Sequence, residues 1–346
     1  MEWISNDVPG GRPLVLLVER VWYKWMAPPA GGTPSGGLPQ VATASTTPDP
    51  GPTAQGLSHL AAPTAVVPIA TGPLPQEGQW VVVGRLVGGL PAIRVTYLRP
   101  DNVHTSLVTG VMWLDMKLLK ATLVPGIQLP TKGASWPGLH FSIPASARAD
   151  LAATFNSGFL LRDSDGGWYG DGRMAVPLVD GQASLVIYTD GTATVADWGR
   201  DASMSANVAA ARQNLKLIVD GGRVTPLVAA DNYLIWDKTL GNTVLEWRSG
   251  VGVTQDGALV YAAGNGLSVE SLADVLQRAG AACAMELDIN SRWTSANYNQ
   301  LAAGSSTVVS PTKLVPDMSR SVTRFLVPDE RNFVAVFIRS ELLPAT

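Results

Sequence analysis

Four Asp-Gly dipeptides, Asp180-Gly181, Asp190-Gly191, Asp220-Gly221 and Asp256-Gly257, each lie between β-favouring segments. Asp-Gly tolerates the positive φ angles that a tight hairpin demands, so residues 176–263 read as an antiparallel meander. Upstream, residues 80–125 alternate as strands, notably 80–83, 92–97 and 105–114, and 151–155 reads as another strand entered from a turn. One segment departs from this rhythm. Val269, Leu272, Val275, Leu276 and Ala279 recur at helical spacing until Gly280, with Ser271 and Asp274 as the capping pair. Strand 258–263, helix 269–280 and strand 283–289 then form one β-α-β crossover. The expected fold is α+β: a mixed, largely antiparallel β-sheet with few helices and one β-α-β crossover.

The 346 residues are 46% hydrophobic and 15% charged with a formal net charge of −3, which permits a sizeable core and argues against a nucleic-acid partner. A single cysteine, Cys283, excludes an intrachain disulfide and a thiolate metal cluster. No cofactor is expected; a divalent cation is left open and not predicted, since the loop bearing Asp163, Asp165 and Asp171 lacks the closing Glu of a calcium loop. Residues 1–26 form an N-terminal unit whose stretch PLVLLVERVWYKWM reads as a short amphipathic helix. Residues 27–79, rich in Pro, Gly, Thr, Ala and Ser with only Asp49 and Glu77 charged, read as a linker or stalk. Residues 80–346 are the expected folded domain. No stretch approaches the ~20 apolar residues of a membrane helix.

Chemistry concentrates in three segments. In the strand Cys283-Ala284-Met285-Glu286-Leu287-Asp288-Ile289-Asn290, strict alternation puts Met285, Leu287 and Ile289 on one face and Glu286, Asp288 and Asn290 on the other. The Cα atoms of the two acids are then roughly 6.6 Å apart. Such closeness drives carboxyl pKa values apart, as sugar-transfer chemistry requires, although a solvated face or an arginine-neutralised pair fits the same pattern. Asn156-Ser157-Gly158-Phe159 places polar groups at a strand end beside a glycine that lets a ligand approach closely; a plain turn has the same composition. Arg248-Ser249-Gly250-Val251-Gly252 offers a guanidinium fork matched to phosphate oxygens, with a surface ion pair as the alternative.

In their order and spacing these segments resemble the phosphodiester glycosidase family. Asn156-Ser157-Gly158-Phe159-Leu160 is similar to its N-G-G-F-F segment. Arg248 to Gly252 with Asp256-Gly257 is similar to its R-S/T-x-x-G segment and following D-G hairpin, and Leu287-Asp288 to the start of L-D-G-G-G-S-S. This chain replaces the glycine run by Ile289-Asn290-Ser291-Arg292-Trp293. Arg292 is then expected as a substitute cation and Trp293 as a stacking surface for a sugar ring. The resemblance implies a hydrolase of a carbohydrate phosphodiester, a sugar-1-phosphodiester in cell-envelope glycan, with no nucleic-acid partner. It implies Asp288 as nucleophile or base, Glu286 as partner carboxyl and Arg248 on phosphate oxygens. Asn156, Gly158, Asn290, Arg292 and Trp293 would lie on the substrate. A bacterial subgroup sharing the E-L-D-I-N strand carries a Pro-rich stalk after a membrane anchor, which residues 1–79 resemble without the anchor. An extracytoplasmic location, secreted or membrane-anchored, follows as an expectation. Two rivals remain: a non-catalytic cell-envelope glycan-binding module, and a glycosidase acting on a sugar–sugar bond, for which Glu286 is the essential acid.

Overall fold

The computed structural model of the protein describes residues 57–128, 141–229, 236 and 245–342; the helix expected within 1–26 and the stalk as far as 56 lie outside them. The described residues build three antiparallel β-sheets with few helices. The largest sheet orders β1 (Val81–Val87), β2 (Leu90–Leu98), β3 (Thr109–Leu114), β14 (Leu259–Leu267), β13 (Glu246–Thr254), β15 (Ala281–Ile289), β11 (Leu217–Asp220) and β12 (Arg223–Val224). A second orders β17 (Val309–Lys313), β16 (Ala296–Leu301), β5 (Leu151–Asn156), β18 (Phe333–Ile338) and β4 (Leu119–Val124). The third orders β7 (Arg173–Val176), β6 (Trp168–Gly170), β10 (Val208–Gln213), β8 (Ala183–Tyr188) and β9 (Ala193–Asp197).

Period-two alternation explains why the central strands are apolar on both faces. In β3, Met112 and Leu114 join the main core with Phe155, Val334 and Leu185 of the other sheets, while Val111 and Trp113 face a second layer with Leu272 and Leu276. In β14, Leu259, Tyr261 and Ala263 take the first side, and Val260 and Ala262 the second. A sheet covered on both sides reads as a continuous hydrophobic run.

The second layer is the helix Val269–Arg278, whose Leu272, Val275 and Leu276 are fully buried. Each such side chain contributes about 1.5–3 kcal/mol. Its N-cap is Ser268, not Ser271: the Ser268 hydroxyl accepts from the Ser271 N–H at 3.1 Å and the Ser271 hydroxyl from the Ser268 N–H at 3.0 Å. Asp274 pairs instead with Arg278, 3.0 Å away and four residues on. The helix connects β14 to β15 as expected, but β13 lies between these two strands and is antiparallel to each. The crossover is therefore split, and every pairing between named strands is antiparallel, which corrects the expected mixed sheet.

Gly250 lets the helix sit this close. A Cβ there would lie 2.8 Å from Leu276 Cδ1 and 2.9 Å from the Met285 carbonyl. This glycine of the Arg248–Gly252 segment thus serves packing. Gly250→Ala is expected to lower stability by about 1–3 kcal/mol, read as a lower urea midpoint with an unchanged slope. An unchanged midpoint would show that the helix does not press on this strand.

Three of the Asp-Gly signals close hairpins. Asp190-Gly191 joins β8 to β9, Asp256-Gly257 joins β13 to β14, and Gly221-Gly222, with φ of 55° and 74°, turn β11 into β12. Asp180-Gly181 instead leads into β8 without pairing it to β7, so the single meander expected over 176–263 is divided between two sheets. The linker boundary also moves. Residues 57–79 lie on the large sheet: Leu60 and Val66 are buried in the helix-side layer, the Leu60 N–H donates to Asp115 Oδ2 at 2.7 Å, and buried Glu77 pairs with Arg99 at 2.9 Å. This stretch has little pattern of its own because the sheet supplies the apolar surface it covers.

Candidate functional site

β5, β13 and β15 bring the three chemical segments together. The register between β13 and β15 sets Arg248 opposite Ile289 and Gly250 opposite Glu286, so Leu287 and Asp288 together oppose Ser249. That extra residue is a β-bulge, a device that re-aims side chains. Glu286, paired with Gly250, points to the helix side, and Ile289 lies in the helix-side layer. Asp288 points the other way, toward β5. The expectation that Glu286, Asp288 and Asn290 share one face is therefore wrong, because alternation fails at a bulge.

On the helix side, Arg248 Nη1 lies 2.5 Å from Glu286 Oε1 and Arg248 Nε donates to the Leu267 carbonyl at 2.9 Å. The two side chains are 5% and 0% exposed, so this guanidinium is committed within the protein. On the other side Asp288, 1% exposed, accepts from Asn156 Nδ2 at 3.2 Å and from Arg331 Nη2 at 2.8 Å. Asn156 is a saturated hub. Its amide also donates to Ser249 Oγ at 2.9 Å, and its oxygen accepts from the Tyr261 hydroxyl at 2.7 Å and the Ser295 N–H at 3.1 Å. An Asn carboxamide has two donors and two acceptor positions, and all four are used. Asn156 therefore holds Asp288 in place and has no group left for a sugar. Burial, with Asp288 adding to it, pushes the Tyr261 hydroxyl up, so it remains a donor.

Gly158 has φ of 131°, a conformation only glycine adopts easily, and its carbonyl accepts from Arg331 Nη2 at 3.2 Å. The next carbonyl, Phe159, accepts from Arg212, a fully buried guanidinium. Burial lowers the Arg212 pKa to about 9, Asp288 opposing, so the group is still a cation at neutral pH. Asn290, directly after β15, has φ of 101°, and its side-chain oxygen accepts from the N–H groups of Arg292 (3.0 Å) and Trp293 (3.2 Å). It closes the turn that presents those two residues and does not join Asp288's surroundings as expected.

Trp293 is half-buried and ringed by guanidinium groups: Arg331 at 4.8 Å, Arg292 at 5.0 Å, Arg324 at 5.7 Å and Arg320 at 5.8 Å from the ring centroid. Arg331 touches both the indole and Asp288, linking the buried carboxylate to the outer turn. Arg324 is locked to Asp329 by two contacts of 2.7 and 3.1 Å.

Arg331, Arg324, Arg320 and Arg212 were missed in the sequence, and Ser249, quoted there beside Arg248, was given no role of its own. A usable signal existed: the polar run Asp329-Glu330-Arg331-Asn332 precedes the apolar β18, and β18 starts at Phe333 directly opposite Asn156. Asn332 is 1% exposed with neither side-chain amide atom bonded to protein. No group of three His, Cys, Asp or Glu able to hold a metal occurs among the described residues, and no helix there is long and apolar enough to cross a membrane. A cavity of about 490 Å³ lined by Arg200, Lys216, Asp220, Arg223 and Leu227 shares no residue with the site.

No family model and no curated protein matches the chain. Among solved structures, it is similar to the catalytic domain of zebrafish N-acetylglucosamine-1-phosphodiester alpha-N-acetylglucosaminidase, auto-inhibited by its pro-peptide. Identity is 16%, with 71% of this chain and 81% of that one covered at a TM-score of 0.41. A hypothetical protein from Synechocystis is 13% identical, with 72% of this chain and 63% of that one covered at a TM-score of 0.40.

Proposed function

We propose that the protein is a hydrolase that cleaves a sugar-1-phosphodiester in an extracytoplasmic glycan, with Asp288 as the nucleophile or base. The observation that carries this reading is a buried carboxylate oriented by a saturated Asn156 and held by Arg331, whose guanidinium also reaches the outer, arginine-ringed Trp293. An incoming phosphodiester takes over Arg331 by the two-pronged contact that guanidinium makes with phosphate, and so releases Asp288. Arg331 thus replaces Arg248 as the phosphate ligand, because Arg248 lies with Glu286 on the helix side of the sheet while Arg331 lies against Asp288. In the reaction water adds to the sugar C1, the C1–O bond to phosphorus breaks and a phosphomonoester leaves. That leaving group departs as an anion, so stabilising positive charge at C1 beside Asp288 matters more than protonating the oxygen.

The 1% exposure of Asp288 favours one second reading, a glycan-binding module in which the carboxylate only ties two sheets together. The two are separated by incubating the protein with an aryl phosphodiester of a hexose or N-acetylhexosamine and with the matching aryl glycoside. Release of free sugar from the phosphodiester, with little from the glycoside, is the expected result. Release from neither, together with binding of isolated wall polymer, selects the binding module.

A further inference from the structure

The charges around Trp293 do not balance. Four guanidinium groups surround the ring, and among the described residues their carboxylate partners are two: Asp288 with Arg331 at 2.8 Å, and Asp329 with Arg324 at 2.7 Å and with Arg320 at 3.5 Å. The inner pair is neutralised by these carboxylates, the Arg324 and Arg331 side chains being 1% and 6% exposed. The outer pair faces water: Arg292 is exposed and the Arg320 side chain is 34% exposed. A single phosphodiester carries one negative charge, which Arg331 answers in the reading above. Two cations then remain at the rim.

We propose that Arg292 and Arg320, held on Trp293, form a recognition rim for a second anionic group, so that the preferred ligand is a polymer of phosphodiester-linked units and not an isolated phosphodiester. The inference rests on the reading above for the place of the first phosphate. The rim is built before the ligand arrives. Asn290 fixes the N–H groups of Arg292 and Trp293, Arg324 Nη1 donates to the Trp293 carbonyl at 2.8 Å, and Ser319 donates to the Ser291 carbonyl. A turn fixed in this way loses little freedom on binding, and guanidinium groups within 5.0 and 5.8 Å of the ring centroid keep N–H donors for an anion at the exposed rim.

The test is calorimetric titration of the full chain with synthetic glycerol phosphate oligomers carrying one or three phosphodiesters. The parent is expected to bind the longer oligomer at least about ten-fold more tightly, with a preference that fades as salt is raised. Arg292→Ala/Arg320→Ala abolishes that preference and leaves affinity for the shorter oligomer within about two-fold, its fold being checked by thermal denaturation. Arg292→Lys keeps the charge without the fork and falls between. Equal affinity of the parent for both oligomers, or a preference that survives the double substitution, overturns the rim whatever the turnover. Conversely, a preference lost in the double variant of a protein that releases no sugar upholds the rim and overturns the hydrolase.

Discussion

Asp288→Asn is expected to fold and to cleave a sugar phosphodiester about a thousand-fold more slowly than the parent, with KM changed far less than kcat. The substitution keeps the shape of the side chain and removes its charge. One oxygen still accepts from Arg331, but the new amide then meets Asn156 Nδ2, donor against donor, where the carboxylate accepted at 3.2 Å. That mismatch costs about 1–3 kcal/mol, so a lower unfolding midpoint accompanies the loss of turnover without accounting for it at temperatures where the variant is folded. Asp288→Ala gives a second readout. If the carboxylate acts as nucleophile or base, added formate restores part of the rate in the space left by the side chain. A folded Asp288→Asn enzyme with parental turnover removes Asp288 from the chemistry, and the network then stands only as a tie between two sheets.

How far this site was legible in the sequence differs residue by residue. Asn156 was found because a short polar side chain that closes an apolar strand emerges at the strand's end, where a site can form. Applied to the other end of the neighbouring strand, the same rule points to Arg331 and Asn332, since β18 begins opposite the place where β5 stops. The face of Asp288 was not legible. Alternation assumes one residue for one residue across the ladder, and whether Leu287 and Asp288 share a single partner depends on β13. The role of Gly250 was not legible either, because a sequence does not say which element approaches a glycine; here it is the helix carrying Leu276. Residues 57–79 looked like linker for a related reason. Leu60, Val66 and Glu77 are too sparse to make a periodic pattern, and their partners, the helix-side layer and Arg99, lie elsewhere in the chain.

The bulge that separates the two carboxylates leads to the largest expected change in stability. Arg248→Met should destabilise the protein by about 3–5 kcal/mol, because it removes the guanidinium 2.5 Å from a carboxylate of zero exposure on the helix side of the sheet. Glu286→Gln should cost less than this, since the amide still accepts from Arg248, yet the cation then lies buried beside a neutral group. The double variant Arg248→Met/Glu286→Gln should recover much of the loss, as replacing both charges removes two desolvation costs together. Denaturant unfolding of the four proteins closes the cycle, and additive effects would show that the two side chains are not coupled. Turnover divides the chemistry on the same proteins. A phosphate leaving group needs no acid, so folded Glu286→Gln keeps its rate within a few-fold on the phosphodiester. A collapse of that rate in the folded variant would instead show that the buried Arg248–Glu286 pair, on the face opposite Asp288, is needed to hold the strand that carries Asp288 in its active geometry.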